Sequence, residues 1–515
     1  MIRIHLRSYE VNPWRSFGGT HLRGIIFGDD ESLRPSDLPL GIDPCSAESE
    51  IAGFLSRLNG MFAMIRVDDA AVVAAVDRVR STPLFYSTKG GVLFISDDAH
   101  WIAGQVGSSS IHAGAVIDFA TVGYVTGART IHADIYQLKA GELLLASRVR
   151  SSWVIKTVRY YRYLHAAEHD HSTGDLLEVL DSVLLTIFGR LTDHAAGRMI
   201  VVPLSGGLDS RLIVQMLKRL NYANVICFTY GSKLSWEVRV SRQVAGQLNY
   251  PWIFIDYNGS KWAEWFFSDE CRSYRRFGSG LSSLAHIQDW PAVMEMKRTR
   301  MIPCDSLFVP GHSADFAAGS HLSSALVGGT VTTTEDVAKA IISHHYNLCD
   351  LDCESDSVRS HIACSVRSAI QDLEIARSEQ ACSAFEYWNW EERQAKFICN
   401  SLRVYEFFGY DWAMPFWDAD FMDFWLRVPA DLRFGCRLYR QYLAECRSIP
   451  CLSVNGFSLG DRITAKVLRF VGYDAVNAMQ FARRLPIPRA LCRCPLTTNA
   501  YLAAYELGEI VGELS

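Results

Sequence analysis

Six consecutive residues, Ser205-Gly206-Gly207-Leu208-Asp209-Ser210, hold the groups an anion site needs. Paired glycines let backbone N–H groups approach an oxyanion closely. A helix that starts behind them adds unpaired N–H groups and the positive end of its dipole. Ser205 and Ser210 bring hydroxyl donors, and Asp209 brings a carboxylate suited to a divalent cation. No lysine follows the glycines, which sets the run apart from the Gly-x4-Gly-Lys-Ser/Thr phosphate loop. A second acidic turn lies in Leu307 to Phe316 (LFVPGHSADF) and contains Gly311, His312 and Asp315. Mg²⁺ among phosphates takes one or two protein carboxylates, and Asp209 and Asp315 are the expected pair.

Such residues need a scaffold that presents loops at one edge. The apolar run Met199 to Leu204 predicts a strand ahead of the glycines, and Arg211 to Leu220 predicts a helix after them. Val225 to Tyr230 and Trp252 to Tyr257 predict two more strands, separated by a helix over Ser235 to Leu248. Strands and helices alternating at this spacing imply an α/β unit with a parallel sheet and right-handed crossovers. Ligands of such sheets bind at the carboxyl ends of the strands, where the glycine run falls. At that junction the run resembles the pyrophosphate loop of enzymes that split ATP into AMP and pyrophosphate. That likeness places adenine and ribose near Leu204 and the strand end at Phe228.

The order of further runs extends the resemblance to the asparagine synthetase family over most of the chain. The N-terminal part gives Leu58 to Met64 (LNGMFAM), Asp77 to Tyr86 (DRVRSTPLFY), Phe94 to Asp98, Gly123 to Ile131 and Ile135 to Leu143. The C-terminal part gives the glycine run, the Gly311 to Asp315 turn, and Asp411 to Asp418 (DWAMPFWD), similar to the family's Glu-x-Arg-x-Pro-Phe-Leu-Asp. The resemblance implies an antiparallel, β-rich domain of the glutaminase (N-terminal nucleophile) type over residues 1–154. A connection at 155–175 follows, then an ATP-pyrophosphatase domain over 176–515 with the parallel sheet and helices of adenine nucleotide α-hydrolases. It also implies ATP and Mg²⁺ as cofactors and AMP-forming adenylation of a carboxylate, followed by attack of nitrogen. Asp209 and Asp315 would hold the metal, and Leu204, Ser205, Gly206, Gly207, Asp209, Ser210, Phe228 and Gly311 the nucleotide.

The departures from the family pattern define the expected chemistry. Family members that use glutamine begin with a cysteine nucleophile after the initiator Met, whereas this chain reads Met1-Ile2-Arg3 and its first cysteine is Cys45. The N-terminal domain is therefore expected to be a scaffold, with nitrogen arriving as ammonia, from a separate glutaminase, or as an amine on the substrate. At the acidic turn the synthetases carry glutamate, the β-lactam-forming relatives a tyrosine that acts with the acid matching Asp411, and lasso-peptide cyclases a histidine. His312 with Asp411 is thus the expected catalytic pair, since an imidazole can deprotonate an attacking amine. The family's pyrophosphate-neutralising lysine has no clear match. Lys466, Arg440, Arg447 and Arg462 are the cations that remain. The acceptor is expected to be a small carboxylate, foremost a nucleotide-linked uronic acid of a surface polysaccharide. An intramolecular amide-forming cyclase, asparagine synthesis from aspartate, and a non-catalytic nucleotide-binding scaffold are the alternatives. Both carboxylates with an intact loop argue against the scaffold.

Composition sets the outer bounds. At 515 residues and 49% hydrophobic content the chain is long enough for two to four domains with sizeable cores. A net charge of −5 without a long basic run argues against nucleic acid. No apolar run reaches the roughly eighteen residues of a membrane span, and the N-terminus lacks the apolar core of a signal peptide. A cytoplasmic protein with reduced cysteines, and a homodimer as an open state, are the expectations. Cys349, Cys353, Cys364, His344, His345 and His361 have metal-binding side chains but no zinc-ribbon spacing, so structural zinc is not expected. The aromatic run Phe385 to Arg427 reads as helix core, with Glu392, Arg393 and Arg403 able to face a cleft. His286 is a candidate ligand contact.

Overall fold

The computed structural model of the chain describes residues 1–27, 32–33, 43–107, 110–167, 171–233, 235–257, 259–351, 354–445 and 498–514. Its N-terminal part is built on two sheets. The smaller has the order β1 (Ile2–His5), β8 (Val92–Ser96), β7 (Phe85–Lys89), β9 (Tyr136–Gln137). The larger contains seven antiparallel strands: β2 (Arg15–Phe17), β3 (Thr20–Phe27), β4 (Ser32–Leu33), β5 (Asn59–Val67), β6 (Ala71–Val76), β10 (Glu142–Val149) and β11 (Ser152–Arg159). Successive side chains on a strand point to opposite faces, and the core follows that rule. Ala63, Ile65, Val72 and Ala74 of the large sheet pack with Leu93 and Ile95 of the small one. Their neighbours Phe62, Met64, Val73 and Ala75 face Ile51 and Leu55 of α1 (Glu48–Arg57). On the far side, Phe85 and Phe94 pack with Ile102 of α2 (Ala99–Val106) and Phe119 of α3 (Ala113–Val122). The layers therefore run helix, sheet, sheet, helix.

The C-terminal part holds the expected parallel sheet. Its strands are β12 (Ile200–Pro203), β13 (Val225–Gly231), β14 (Trp252–Asp256), β15 (Leu307–Phe308) and β16 (Asp411–Trp412), in the order β14-β13-β12-β15-β16, with every pair parallel. Helix α4 (Thr173–Ala195) precedes it, started by a capping box between Ser172 and Asp175. The crossover helices are α5 (Leu208–Arg219) and α6 (Trp236–Leu248). Ile200, Val202, Val225 and Cys227 pack with Leu184, Phe188, Leu212 and Met216 on one face. Val201, Ile226, Phe228 and Phe308 meet Trp388, Trp390 and Tyr405 on the other. The chain builds outward from β12 to β14, then returns to lay β15 on the opposite flank of β12. Strand order reverses between β12 and β15, which makes the crevice above those two strands the topological switch point.

Buried polar contacts join the two parts. Arg23 pairs with Glu406 at 2.7 Å, both side chains 2% exposed. Lys396, fully buried, donates to the carbonyls of Val125 (3.0 Å) and Gly127 (2.6 Å) and pairs with Glu392, whose carboxylate accepts the Gly127 N–H at 3.0 Å. Lys396 and Glu392 sit on a π-helical stretch, Asn389–Ile398, within the run expected to be ordinary helix core. Trp388, Trp390, Leu402 and Tyr405 of that run are indeed buried. Arg403 also turns inward, to the Ser81 carbonyl at 2.6 Å and to Glu406. No described helix is long and apolar enough to cross a membrane.

Candidate functional site

The glycine run leaves β12 and the acidic turn leaves β15, so both emerge at the switch point. Within the first, the Ser205 N–H donates to Ser210 Oγ and the Gly207 N–H to Ser205 Oγ, each at 3.1 Å. These bonds curl the loop over the start of α5, which has no side-chain cap of its own. Its first N–H groups are thus left to a ligand. Gly311 lies against this loop. A Cβ there would fall 2.5 Å from the Ser210 nitrogen and 2.9 Å from its Cα, so only glycine permits the contact. Two residues on, Ser313 holds a left-handed φ of 75°, with its Oγ 2.8 Å from Gln394 Oε1. A non-glycine residue in that region costs about 1–2 kcal/mol, and such strain collects at functional sites.

The turn brings the two carboxylates together. The Asp315 N–H donates to Asp209 Oδ2 at 3.0 Å, and the Tyr439 hydroxyl to Oδ1 at 3.2 Å. Asp315 itself is exposed and accepts from Ser320 Oγ at 2.9 Å. Burial first, and the charge of Asp315 second, push the Asp209 pKa well above the usual carboxylate range. An all-oxygen pair in which one carboxylate opposes ionisation of the other suits a hard divalent cation such as Mg²⁺.

His312 follows Gly311 and is half-buried. Its Nε2 lies 2.9 Å from Ser401 Oγ, and that hydroxyl gives its own proton to the Ile398 carbonyl at 2.6 Å. Nε2 therefore carries the hydrogen, and Nδ1 keeps its lone pair. Burial lowers the His312 pKa to about 4, with the Asp289 carboxylate opposing. Asp289 is buried and accepts from the hydroxyls of Tyr230 (2.5 Å) and Tyr405 (2.7 Å), with His286 Nε2 at 3.8 Å. Burial disfavours its charge, but His286, Tyr230 and Tyr405 outweigh that and hold its pKa at about 2.

Two sequence expectations need correction. Asp411 aligns with Leu307, which aligns with Ile200, so it belongs to the first row of the sheet. Its carboxylate binds Arg198 at 2.9 Å, with His194 at 3.4 Å, at the amino end of the strands. Parallel strands put that end opposite the loops, so the structure does not bring Asp411 to His312. Phe228 directs its ring into the core, edge-on to Phe308, and Leu204 is 1% exposed. Both side chains are buried, and the two residues pair through their backbones, Leu204 N–H to Phe228 O at 2.8 Å.

Comparison with known families identifies a glutamine amidotransferase domain over residues 49–161 and an asparagine synthase domain over residues 194–276. The two matches, in this order along the chain, support an asparagine synthetase-family protein. No curated protein matches the chain. Among solved structures, an NH3-dependent NAD synthetase from Campylobacter jejuni is 15% identical, covering 31% of this chain and 61% of its own, with a TM-score of 0.19. An allosteric regulatory enzyme of purine biosynthesis is 12% identical, with coverages of 47% and 61% and a TM-score of 0.19. The glutamine phosphoribosylpyrophosphate amidotransferase of B. subtilis is 12% identical, with coverages of 58% and 63% and a TM-score of 0.18. The chain thus spans less than two thirds of each of these structures, and the likeness is local.

The cation beside the loop is one that sequence reasoning missed. Arg211 donates from Nε to the Gly207 carbonyl (2.8 Å) and from Nη2 to the Gly206 carbonyl (3.1 Å). The signal was its position directly after Ser210. Lys396 is sealed in the core, and Arg440 is exposed, with Nε on the Gly435 carbonyl at 3.0 Å. Lys466, Arg447 and Arg462 lie outside the described residues. Asp289 ends the run Ser283–Asp289, which the sequence offers either as acceptor-site lining or as part of a helix, without a role for the carboxylate itself. Its side chain makes no cap bond.

Proposed function

We propose that this protein splits ATP at the switch point to activate a substrate carboxylate, then joins nitrogen to it to give an amide. One observation carries this reading: the Ser205–Ser210 loop and the Gly311–Asp315 turn meet there, with Asp209 held by the Asp315 amide. Ser205, Gly206, Gly207 and Ser210 would hold the phosphates, and Arg211 would add positive charge beside them. Asp209 and Asp315 would hold Mg²⁺, which when bound offsets the negative charge that gathers on pyrophosphate. An oxygen of the substrate carboxylate attacks the α-phosphorus, and the bond from that phosphorus to the β-phosphate oxygen breaks. The nitrogen nucleophile then attacks the acyl carbon, and the carbon–oxygen bond to AMP breaks. The proton lost from nitrogen goes to Nδ1 of His312, the free lone pair next to the turn. Asp289 would support the imidazolium that results.

Nitrogen would come from ammonia, from a separate glutaminase or from an amine. The resemblance of the Asp77–Tyr86, Glu391–Asn400 and Gly311–Ser320 runs to surface-polysaccharide relatives supports a nucleotide-linked uronic acid as acceptor. The histidine at position 312 favours a second reading, an intramolecular cyclase that carries its own amine. The test uses purified protein, Mg-ATP and ammonium with a panel of nucleotide-linked uronic acids and aspartate, read by mass spectrometry. A uronate lighter by about one mass unit, with AMP formed, is expected, because OH is exchanged for NH₂. Conversion of aspartate alone would reject the sugar acceptor.

A further inference from the structure

A second constellation begins at His321, the residue after Ser320, whose hydroxyl bonds Asp315. His321, His344 and His345 bring one ring nitrogen each to within 4.8 Å of one another. His321 Nδ1 and His344 Nε2 are 3.1 Å apart. A tetrahedral zinc with bonds of about 2.0–2.1 Å sets its nitrogens roughly 3.3 Å from one another, so this pair is already at ligand spacing. His345 Nε2 is buried and has no hydrogen-bond partner among the described residues. A buried ring nitrogen without a partner is costly and calls for an explanation.

The rings are fixed by packing. His345 stacks on Phe385 at 5.4 Å and lies 5.0 Å from Trp388. His344 meets Phe385 edge-on at 5.7 Å, and His321 meets Phe316 at 6.2 Å. His344 and His345 end the helix Thr334–His345, whose negative dipole end favours a cation. The three rings line a cavity of about 270 Å³ together with Tyr124, Asn347 and Arg393. Arg393 makes no ion pair among the described residues and rises from the π-helical stretch, a feature common at functional sites.

We infer that His321, His344 and His345 form a three-histidine site for zinc or a similar divalent transition metal, open on its fourth side to the cavity that holds Arg393. Three neutral imidazoles with one open position is the donor set of catalytic rather than structural zinc. An anionic group, such as a carboxylate, could then reach both the metal and the guanidinium. The site is distinct from the Asp209–Asp315 pair in donor chemistry, nitrogen against oxygen, and so in the metal it selects. Of the residues that the sequence sets near His344 and His345, Cys364 is exposed, His361 is bonded to Asp118 at 3.0 Å, and Cys353 lies outside the described residues.

The test is titration of chelator-treated full-length protein with Co²⁺, followed by competition with Zn²⁺. One equivalent of Co²⁺ with the intense visible absorption of a four-coordinate site, displaced by Zn²⁺, is expected. His344→Gln and His321→Gln should each weaken binding by about tenfold or more, while Asp209→Asn should leave the spectrum in place. His344 is exposed, so its variant keeps the core, and circular dichroism verifies the fold. No stoichiometric uptake by the parent protein, or a Co²⁺ spectrum unchanged in both histidine variants, would overturn the inference.

Discussion

At the scale of the residue, the switch point is defined by a carboxylate placed where its charge is disfavoured. Burial and Asp315 make Asp209 hold its proton more tightly when folded than when unfolded. Its contribution to stability is therefore complete below the ordinary carboxylate pKa and lost as the pH rises through the raised one. Asp209→Asn removes that cost. The ligand-free variant should be more stable at neutral pH by about 1 kcal/mol, with a flatter dependence on pH, and should lose the rise in melting temperature caused by Mg-ATP. Thermal melts with and without Mg-ATP across the pH range check all three effects. Asp209 and Asp315 were legible in the sequence because each stands in its own glycine-bearing turn. The pairing of Asp289 was not, because its partners Tyr230 and Tyr405 are 59 and 116 residues away. Its role exists only once β13 and the aromatic helices have met.

At the scale of the element, two turns act as one site because a glycine lets their backbones touch. Gly311→Ala would drive a methyl group into the Ser210 backbone, which cannot give way as a side-chain tip can. The variant should lose about 1–3 kcal/mol of stability and bind nucleotide at least tenfold more weakly, as equilibrium unfolding and calorimetric titration would show. The long elements were readable from apolar runs and helical spacing: β12, β13, β14, α5 and α6 fall within a few residues of where these put them. The short ones were not. Strand β16 is two residues long and takes its register from β15, so nothing local told which end of the sheet Asp411 would join. The π-helical stretch was hidden for a related reason. Its wider turn still buries the same aromatic residues, but it alters where Arg393 and Lys396 point.

At the scale of the whole molecule, the two parts are joined by charges that have left water. Lys396 and Glu392 have side-chain exposures of 0% and 2% and clamp the Val125–Gly127 backbone. Removing one partner strands the other, at a cost of about 3–5 kcal/mol. Lys396→Met should therefore destabilise by that amount in urea unfolding followed by tryptophan fluorescence, and adding Glu392→Gln should restore part of the loss. The fold class was foreseeable from the order of strands and helices in the C-terminal part and from the resemblance in the N-terminal part, but this clamp was not, because it depends on how the aromatic helices seat against the N-terminal sheets. The most direct measurement follows the fate of ATP labelled at the α-phosphate, incubated with Mg²⁺, ammonium and the carboxylate panel. Equal amounts of AMP and pyrophosphate from the parent protein, and neither from Asp209→Asn or Asp315→Asn, is the expected result. Release of ADP and phosphate, or AMP formation undiminished in both variants, would contradict an ATP-splitting site at the switch point.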